Sequence, residues 1–116
     1  MKLIMHVLKE SKKLGINNEA LTFKQISSKL TEEFTEVIEA IAKYNIDRTF
    51  KNLKDIIGET FDLIQICILI LWRCDIIAKG IEIPNLIQEV NFEHKDKLIG
   101  EREWIPQTGI EIDVKE

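Results

Sequence analysis

The chain has 116 residues, 45% of them hydrophobic and 31% charged, which is the composition of one ordinary globular domain. Its formal net charge is −4, and its 16 lysines and arginines form no basic block, which argues against a nucleic-acid surface. The longest uninterrupted apolar run, Ile66 to Trp72, is far shorter than the roughly 20 residues that a membrane-spanning helix needs.

The first two elements in chain order are predicted to be helices. The N-terminal residues predict a short helix over residues 2–14 that ends at Gly15. Thr22, followed three residues later by Gln25, matches a capping box and predicts the start of a second helix. The apolar positions of this second helix recur at spacings of three and four: Ile26, Leu30, Phe34, Val37, Ile38 and Ile41. Residues 44–48 are the predicted turn that follows it.

A third helix is predicted from about Thr49 to about Lys79, with Gly80 as its natural end. The β-branched run ICILIL could also form a buried strand. The length of the segment, its helical neighbours and the absence of turn signals on either side favour the helix.

Pro84 predicts the first turn of a fourth helix that reaches to about Leu98, and the tail, residues 105–116, is predicted to be irregular or a short strand. The predicted fold class is therefore all-α, in a single domain over residues 1–116. We expect an antiparallel helical hairpin that forms a four-helix bundle and is completed by oligomerisation.

Oligomerisation is expected because the third helix is apolar around nearly its whole circumference and needs neighbours on every side. One chain offers too few helices to cover the side that carries Ile64, Ile68 and Trp72. Since soluble monomers rarely expose a contiguous apolar patch, we expect a homodimer or homotetramer, without a membrane or nucleic-acid partner.

Four acids are predicted to converge within the hairpin. If residues 45–48 form its turn, Glu33 and Glu36 lie about 16 and 12 Å before the turn, at 1.5 Å per residue. Glu59 and Asp62 lie about 15 and 20 Å after it, so the two pairs meet at nearly the same height. Four carboxylates repel one another unless cations lie between them, and all-oxygen ligation suits Mg²⁺, with Mn²⁺ as a possible substitute.

A structural alternative stays open for these acids, because they could instead pair with lysines of a neighbouring helix. Other acids of the second helix have a simpler interpretation. Glu32 and Glu39 point away from the apolar stripe, and Glu39 and Lys43 form a favourable i,i+4 pair on a solvated face.

The segment Glu32-Glu33-Phe-Thr-Glu36, followed after 22 residues by Glu59-Thr-Phe-Asp62, resembles the EExxE…ExxD signature of the MazG-like all-α nucleoside triphosphate pyrophosphohydrolases. The resemblance implies hydrolysis of an NTP or dNTP to the monophosphate and pyrophosphate, in nucleotide-pool housecleaning. The metal ligands that it implies for Mg²⁺ are Glu33, Glu36, Glu59 and Asp62. A phosphoribosyl-ATP pyrophosphohydrolase-like enzyme and a non-catalytic helical interaction module are the alternatives.

Two further roles have candidate residues. Glu32 or Glu36 could accept the proton of the attacking water, and the sequence does not choose between them. Near the C-terminus, the chain loosely resembles the Lys…Arg-Gly-Trp ending of some MazG-like chains, with Glu103 where glycine often stands. Cations suit phosphate, although a solvated helix end explains them equally well. The candidates for phosphate binding are Lys95, Lys97 and Arg102.

The cysteines and the N-terminus indicate a cytoplasmic protein. Cys67 and Cys74 lie about 10 Å apart if both are on one helix, which is too far for a disulfide. We therefore expect them to be reduced core residues. The apolar run at the N-terminus is too short for a signal peptide.

Overall fold

The computed structural model describes residues 1–115 and is mostly helical. Two long helices pack as a hairpin, which confirms that part of the prediction. Two compact units divide the chain, the first being Met1–Ile77 and the second beginning at Ala78. The α-helices are α1 (Phe23–Ile46), α2 (Phe50–Gly80) and α3 (Leu86–Asp96).

The N-terminal segment is not helical, so the predicted helix over residues 2–14 is wrong. Instead, β1 (Glu10–Ser11) pairs antiparallel with β2 (Ile16–Asn17). Gly15, between the two strands, has a φ of 65°, a conformation that glycine adopts without steric cost. The two-residue strands and their turn therefore form a short hairpin where the sequence predicted the end of a helix.

Hydrogen bonds from α2 hold the backbone on both sides of this hairpin. The Gln65 side chain donates from Nε2 to the backbone carbonyl of His6 at 2.9 Å. Arg73 donates from Nη1 to the backbone carbonyls of Asn18 and Leu21. An isolated helix of the predicted length is marginal in water, so these long-range partners outweigh the local preference.

The capping box predicted at the start of α1 is confirmed. Thr22 Oγ1 accepts the backbone N–H of Gln25 at 3.1 Å, and Gln25 Oε1 accepts that of Thr22 at 2.8 Å. α1 continues to Ile46, so the turn is shorter than the predicted residues 44–48 and consists of residues 47–49. A connection this short holds α1 and α2 antiparallel.

α2 follows the prediction closely. It begins directly after Thr49, whose Oγ1 accepts the backbone N–H of Asn52 at 3.1 Å, and it ends at Gly80. The run ICILIL lies entirely within α2, so the alternative of a buried strand is wrong. The buried apolar side chains of the first unit are Ile26, Ala40 and Leu69.

α2 is not buried on all sides in the single chain. Several of its large apolar side chains are exposed, among them Ile57, Ile64 and Leu71. Cys67 is also exposed rather than part of the core, while Cys74 is half-buried, and both cysteines are free, as predicted. One chain covers only part of a helix that is apolar all round, so the four-helix bundle and the oligomer stay predictions.

The second unit contains α3 and a π-helical turn, Lys97–Glu101. α3 begins two residues after Pro84, close to the predicted start, with Asn85 as its N-cap. Residues 102–115 have neither helix nor strand, which favours the irregular tail over the short strand as far as residue 115. Within residues 1–115, no helix is long and apolar enough to cross a membrane.

Candidate metal centre

The four predicted acids come together in the first unit. Glu33 and Glu36 lie three residues apart on α1 and therefore share a face, and Glu59 and Asp62 do the same on α2. One carboxylate oxygen from each residue lies within 4.8 Å of those of the other three. The hairpin thus joins two acid pairs that are 22 residues apart in the sequence.

Two of the four acids are half-buried and the other two are exposed. Glu33 and Glu59 are the half-buried residues, and each has a buried Oε2 atom without a hydrogen-bond partner in the described chain. Glu36 and Asp62 are exposed. A buried oxygen without a partner costs free energy, so these two atoms need a proton or a cation to satisfy them.

The electrostatics of Glu33 are unfavourable to its charged form. Burial, followed by the charge of Glu36, raises the pKa of Glu33 above its usual value. A hydrogen bond with Glu36 and the charges of Asp62 and Glu59 raise it further. All of these influences favour a protonated carboxyl in the absence of a cation.

Glu59 is perturbed in the same direction by a different main cause. A hydrogen bond with Glu36 is the largest contribution to the raised pKa of Glu59, followed by burial and by the charges of Glu36, Asp62 and Asp55. Each of these influences favours the protonated form of Glu59, as they do for Glu33.

The residues present fit a hard divalent cation. Every available ligand atom is a carboxylate oxygen, which is the donor type that Mg²⁺, Mn²⁺ and Ca²⁺ prefer. A cation would offset the repulsion among the four carboxylates and satisfy the unpaired oxygens of Glu33 and Glu59. The donor set defines this class of ion and does not select one member of it.

An open polar cavity of about 280 Å³ adjoins Glu36 and Glu59 on the side of the hairpin turn. Five of its lining residues had no part in the site predicted from the sequence: Glu39, Ala40, Lys43, Asn52 and Asp55. Asp55 lies four residues before Glu59, so helical spacing could have placed both acids on one face. A second cavity adjoins Asp62 on the other side of the cluster.

The other predicted site residues lie outside the cluster. Glu32 is exposed on α1 and is not one of the four converging acids. The three candidates for phosphate binding belong to the second unit, where all are exposed, and their role stays a prediction: Lys95, Lys97 and Arg102.

Comparison with known proteins adds no further assignment. No family model, curated protein or solved structure matches the chain. The case for a function therefore rests on the residues of the site and on the resemblance of their spacing to the MazG-like signature.

Proposed function

We propose that the chain is a Mg²⁺-dependent, MazG-like nucleoside triphosphate pyrophosphohydrolase that acts in cytoplasmic nucleotide-pool housecleaning. The observation that carries the proposal is the convergence of four carboxylates within 4.8 Å across the α1–α2 hairpin. The salt-bridge alternative predicts a cation that lowers the pKa of these acids. Instead, burial and neighbouring acids raise the pKa of Glu33, and a hydrogen bond with Glu36, burial and neighbouring acids raise that of Glu59. A site that favours an added cation is expected for an enzyme that binds a triphosphate through a metal.

Each acid has a proposed role. Glu33, Glu36, Glu59 and Asp62 hold Mg²⁺, or Mn²⁺ in its place. Bound metal supplies neutralisation of the triphosphate charge, orientation of the phosphates and a lower pKa for the attacking water.

The reaction itself breaks the α–β phosphoanhydride bond. Water oxygen bonds to phosphorus, pyrophosphate leaves, and the proton of the water passes to a carboxylate. Glu36 and Glu32 are the candidates for that acceptor. Glu32 is exposed and lies outside the four-acid cluster, so its oxygens stay available when the cluster holds metal.

The exposed apolar side chains of α2 support an oligomer. Ile64 and Leu71 lie seven residues apart and therefore on one side of the helix, and both are exposed in the single chain. Pairing two hairpins across a two-fold axis would cover this side and build the four-helix bundle. We propose a homodimer or homotetramer on this basis.

The proposed phosphate contacts are separate from this interface. They are the basic side chains Lys95, Lys97 and Arg102.

The test is a pyrophosphate-release assay over all NTPs and dNTPs, with Mg²⁺ and with excess EDTA. We expect pyrophosphate only with Mg²⁺, and none from the Glu59→Gln or Asp62→Asn variants. Glu89→Gln, which removes one exposed acid from α3, is the matched control and should keep full activity.

Two outcomes would contradict the proposal in different ways. Cleavage of phosphoribosyl-ATP alone would assign the chain to the related enzyme class. No cleavage of any nucleotide by folded protein that binds Mg²⁺ would favour the non-catalytic helical module.

A further inference from the structure

An open surface cavity of about 240 Å³ lies beside the acid cluster, on the side of the N-terminal segment, and its lining side chains Leu3 and Ile4 are exposed. Asp62 belongs to both the cluster and the cavity wall, so a ligand bound at the cluster can extend into this cavity. The lining residues are Leu3, Ile4, Met5, Phe61, Asp62 and Gln65.

The N-terminal wall of the cavity is fixed to α2 by side-chain hydrogen bonds. Gln65 donates from Nε2 to the carbonyl of His6, directly after the lining residues of the segment. Arg73 holds the far end of the same segment through the carbonyls of Asn18 and Leu21. The cavity is therefore built from two parts of the chain that these bonds keep in register.

The lining is suited to a flat ring rather than to a phosphate. Three aliphatic side chains and the ring of Phe61 supply apolar contact area, and no lysine or arginine lies among the lining residues. Pockets for whole small-molecule ligands are about 300–1,000 Å³. The present cavity is smaller than that and has the size of one ring system of a larger ligand.

Gln65 carries the one side-chain amide among the lining residues, and the orientation of this amide is fixed by a hydrogen bond. Only the nitrogen of an amide side chain donates, so the bond to His6 identifies which end of Gln65 is Nε2. The bond to His6 uses Nε2, which leaves Oε1 as the acceptor end of the side chain. Gln65 therefore offers a hydrogen-bond acceptor to whatever occupies the cavity.

From this lining we infer that the cavity binds the nucleobase of the substrate and favours bases with an exocyclic amino group in the position of cytosine or adenine. The inference rests on the proposed function, because the triphosphate of the same nucleotide is assigned to the acid cluster. The amino group of such a base donates to Gln65 Oε1, and the ring packs on Phe61. Uracil and hypoxanthine present a carbonyl oxygen at the same position, which would face another acceptor.

Two matched nucleotide pairs test the inference, CTP against UTP and ATP against ITP. Non-hydrolysable α,β-methylene analogues allow their affinities to be compared by calorimetry with Mg²⁺, independently of turnover. We expect the amino-bearing member of each pair to bind about tenfold more tightly, which is the effect of one hydrogen bond of ordinary strength. Equal affinity within both pairs would overturn the inference.

Variants separate recognition from a general loosening of the N-terminal segment. Gln65→Leu removes the acceptor and should bring the CTP-to-UTP affinity ratio close to one, whereas loosening alone would weaken both nucleotides equally. Phe61→Leu keeps an apolar side chain without the aromatic face and should weaken every nucleotide severalfold. Gln88→Leu, at an exposed glutamine of α3 outside the cavity lining, should leave affinity and ratio unchanged.

The possible results distinguish this inference from the proposed function. A wild-type ratio that persists in Gln65→Leu would show that base discrimination lies elsewhere, even in an active enzyme. A ratio that depends on Gln65 would support the cavity assignment even if no pyrophosphate were released. Pyrophosphate release without base preference would support the proposed function and contradict the base site.

Discussion

Replacement of Glu33 by glutamine should stabilise the metal-free protein at neutral pH. The substitution keeps the shape of the side chain and removes a charge within 4.8 Å of the ligand atoms of Glu36 and Asp62. Two unit charges about 4 Å apart repel by about 1 kcal/mol in water. The value for water applies because Glu36 and Asp62 are exposed and therefore screened. Relief of one such pair, about 1 kcal/mol, corresponds to a melting temperature about 4 °C higher in a domain of this size, and the other neighbouring carboxylates add to this gain.

The gain should depend on pH in one direction. The pKa of Glu33 is raised in the folded protein, by burial first, from a usual value of 4.5. Below 4.5 the carboxyl is protonated in both the folded and the unfolded chain, so its removal changes little. As the pH rises through the folded-state pKa, the wild type acquires the repulsion and loses stability, and the advantage of Glu33→Gln reaches its full size.

Thermal melts in EDTA at acidic and neutral pH measure this difference. Glu32→Gln is the matched control for stability, because it removes the same charge from the adjacent position of α1, outside the cluster. Its unfolding free energy should stay within about 0.5 kcal/mol of the wild type, as for most surface substitutions. A metal-free Glu33→Gln protein that melts at or below the wild-type temperature at neutral pH would refute the argument from repulsion.

Three further outcomes are expected. Thr22→Ala removes the N-cap of α1 and should lower the unfolding free energy by about 1 kcal/mol in urea melts, and an unchanged midpoint would show that the cap contributes nothing. Arg102→Ala should raise KM more than it alters the melting temperature if the side chain contacts phosphate. An unchanged KM for every accepted nucleotide would show that Arg102 is a solvated surface residue without a role in binding. Leu71→Asp, at an exposed position of α2, should lower both assembly and activity if the exposed side of α2 is a subunit interface. A fully active wild type of about 13.5 kDa by light scattering at micromolar concentration would contradict the oligomer.

The features predicted correctly depend on neighbours close in sequence. Thr22 and Gln25 satisfy each other within a single turn, and Gly80 ends α2 where the apolar pattern also ends. The approach of Glu36 to Glu59 follows from the fixed rise of two helices joined by a short turn. Local rules and helix geometry were sufficient for all of these.

The features that the sequence did not predict depend on distant partners. The segment before Gly15 is not helical, and Gln65 of α2 binds its backbone at His6. Arg73 binds the chain after the hairpin, and nothing within the N-terminal residues indicates either contact. The cavity lined by Phe61 and residues 3–5 was not predicted either, because these residues are far apart in the sequence. The partial burial of α2 agrees with the expectation that one chain has too few helices to cover it. Which side chains stay exposed differs in part, because Ile68 and Trp72 are half-buried whereas Leu71 is exposed.

The most direct test of the central claim is a crystal structure of the protein with Mn²⁺ and a non-hydrolysable nucleotide, measured at a wavelength where manganese scatters anomalously. The account predicts an anomalous peak within coordination distance of Glu33, Glu36, Glu59 and Asp62, with the triphosphate against it. Electron density for the nucleotide elsewhere, or an ordered cluster without a peak in Mn²⁺-saturated crystals, would contradict the claim that these four acids form the metal centre.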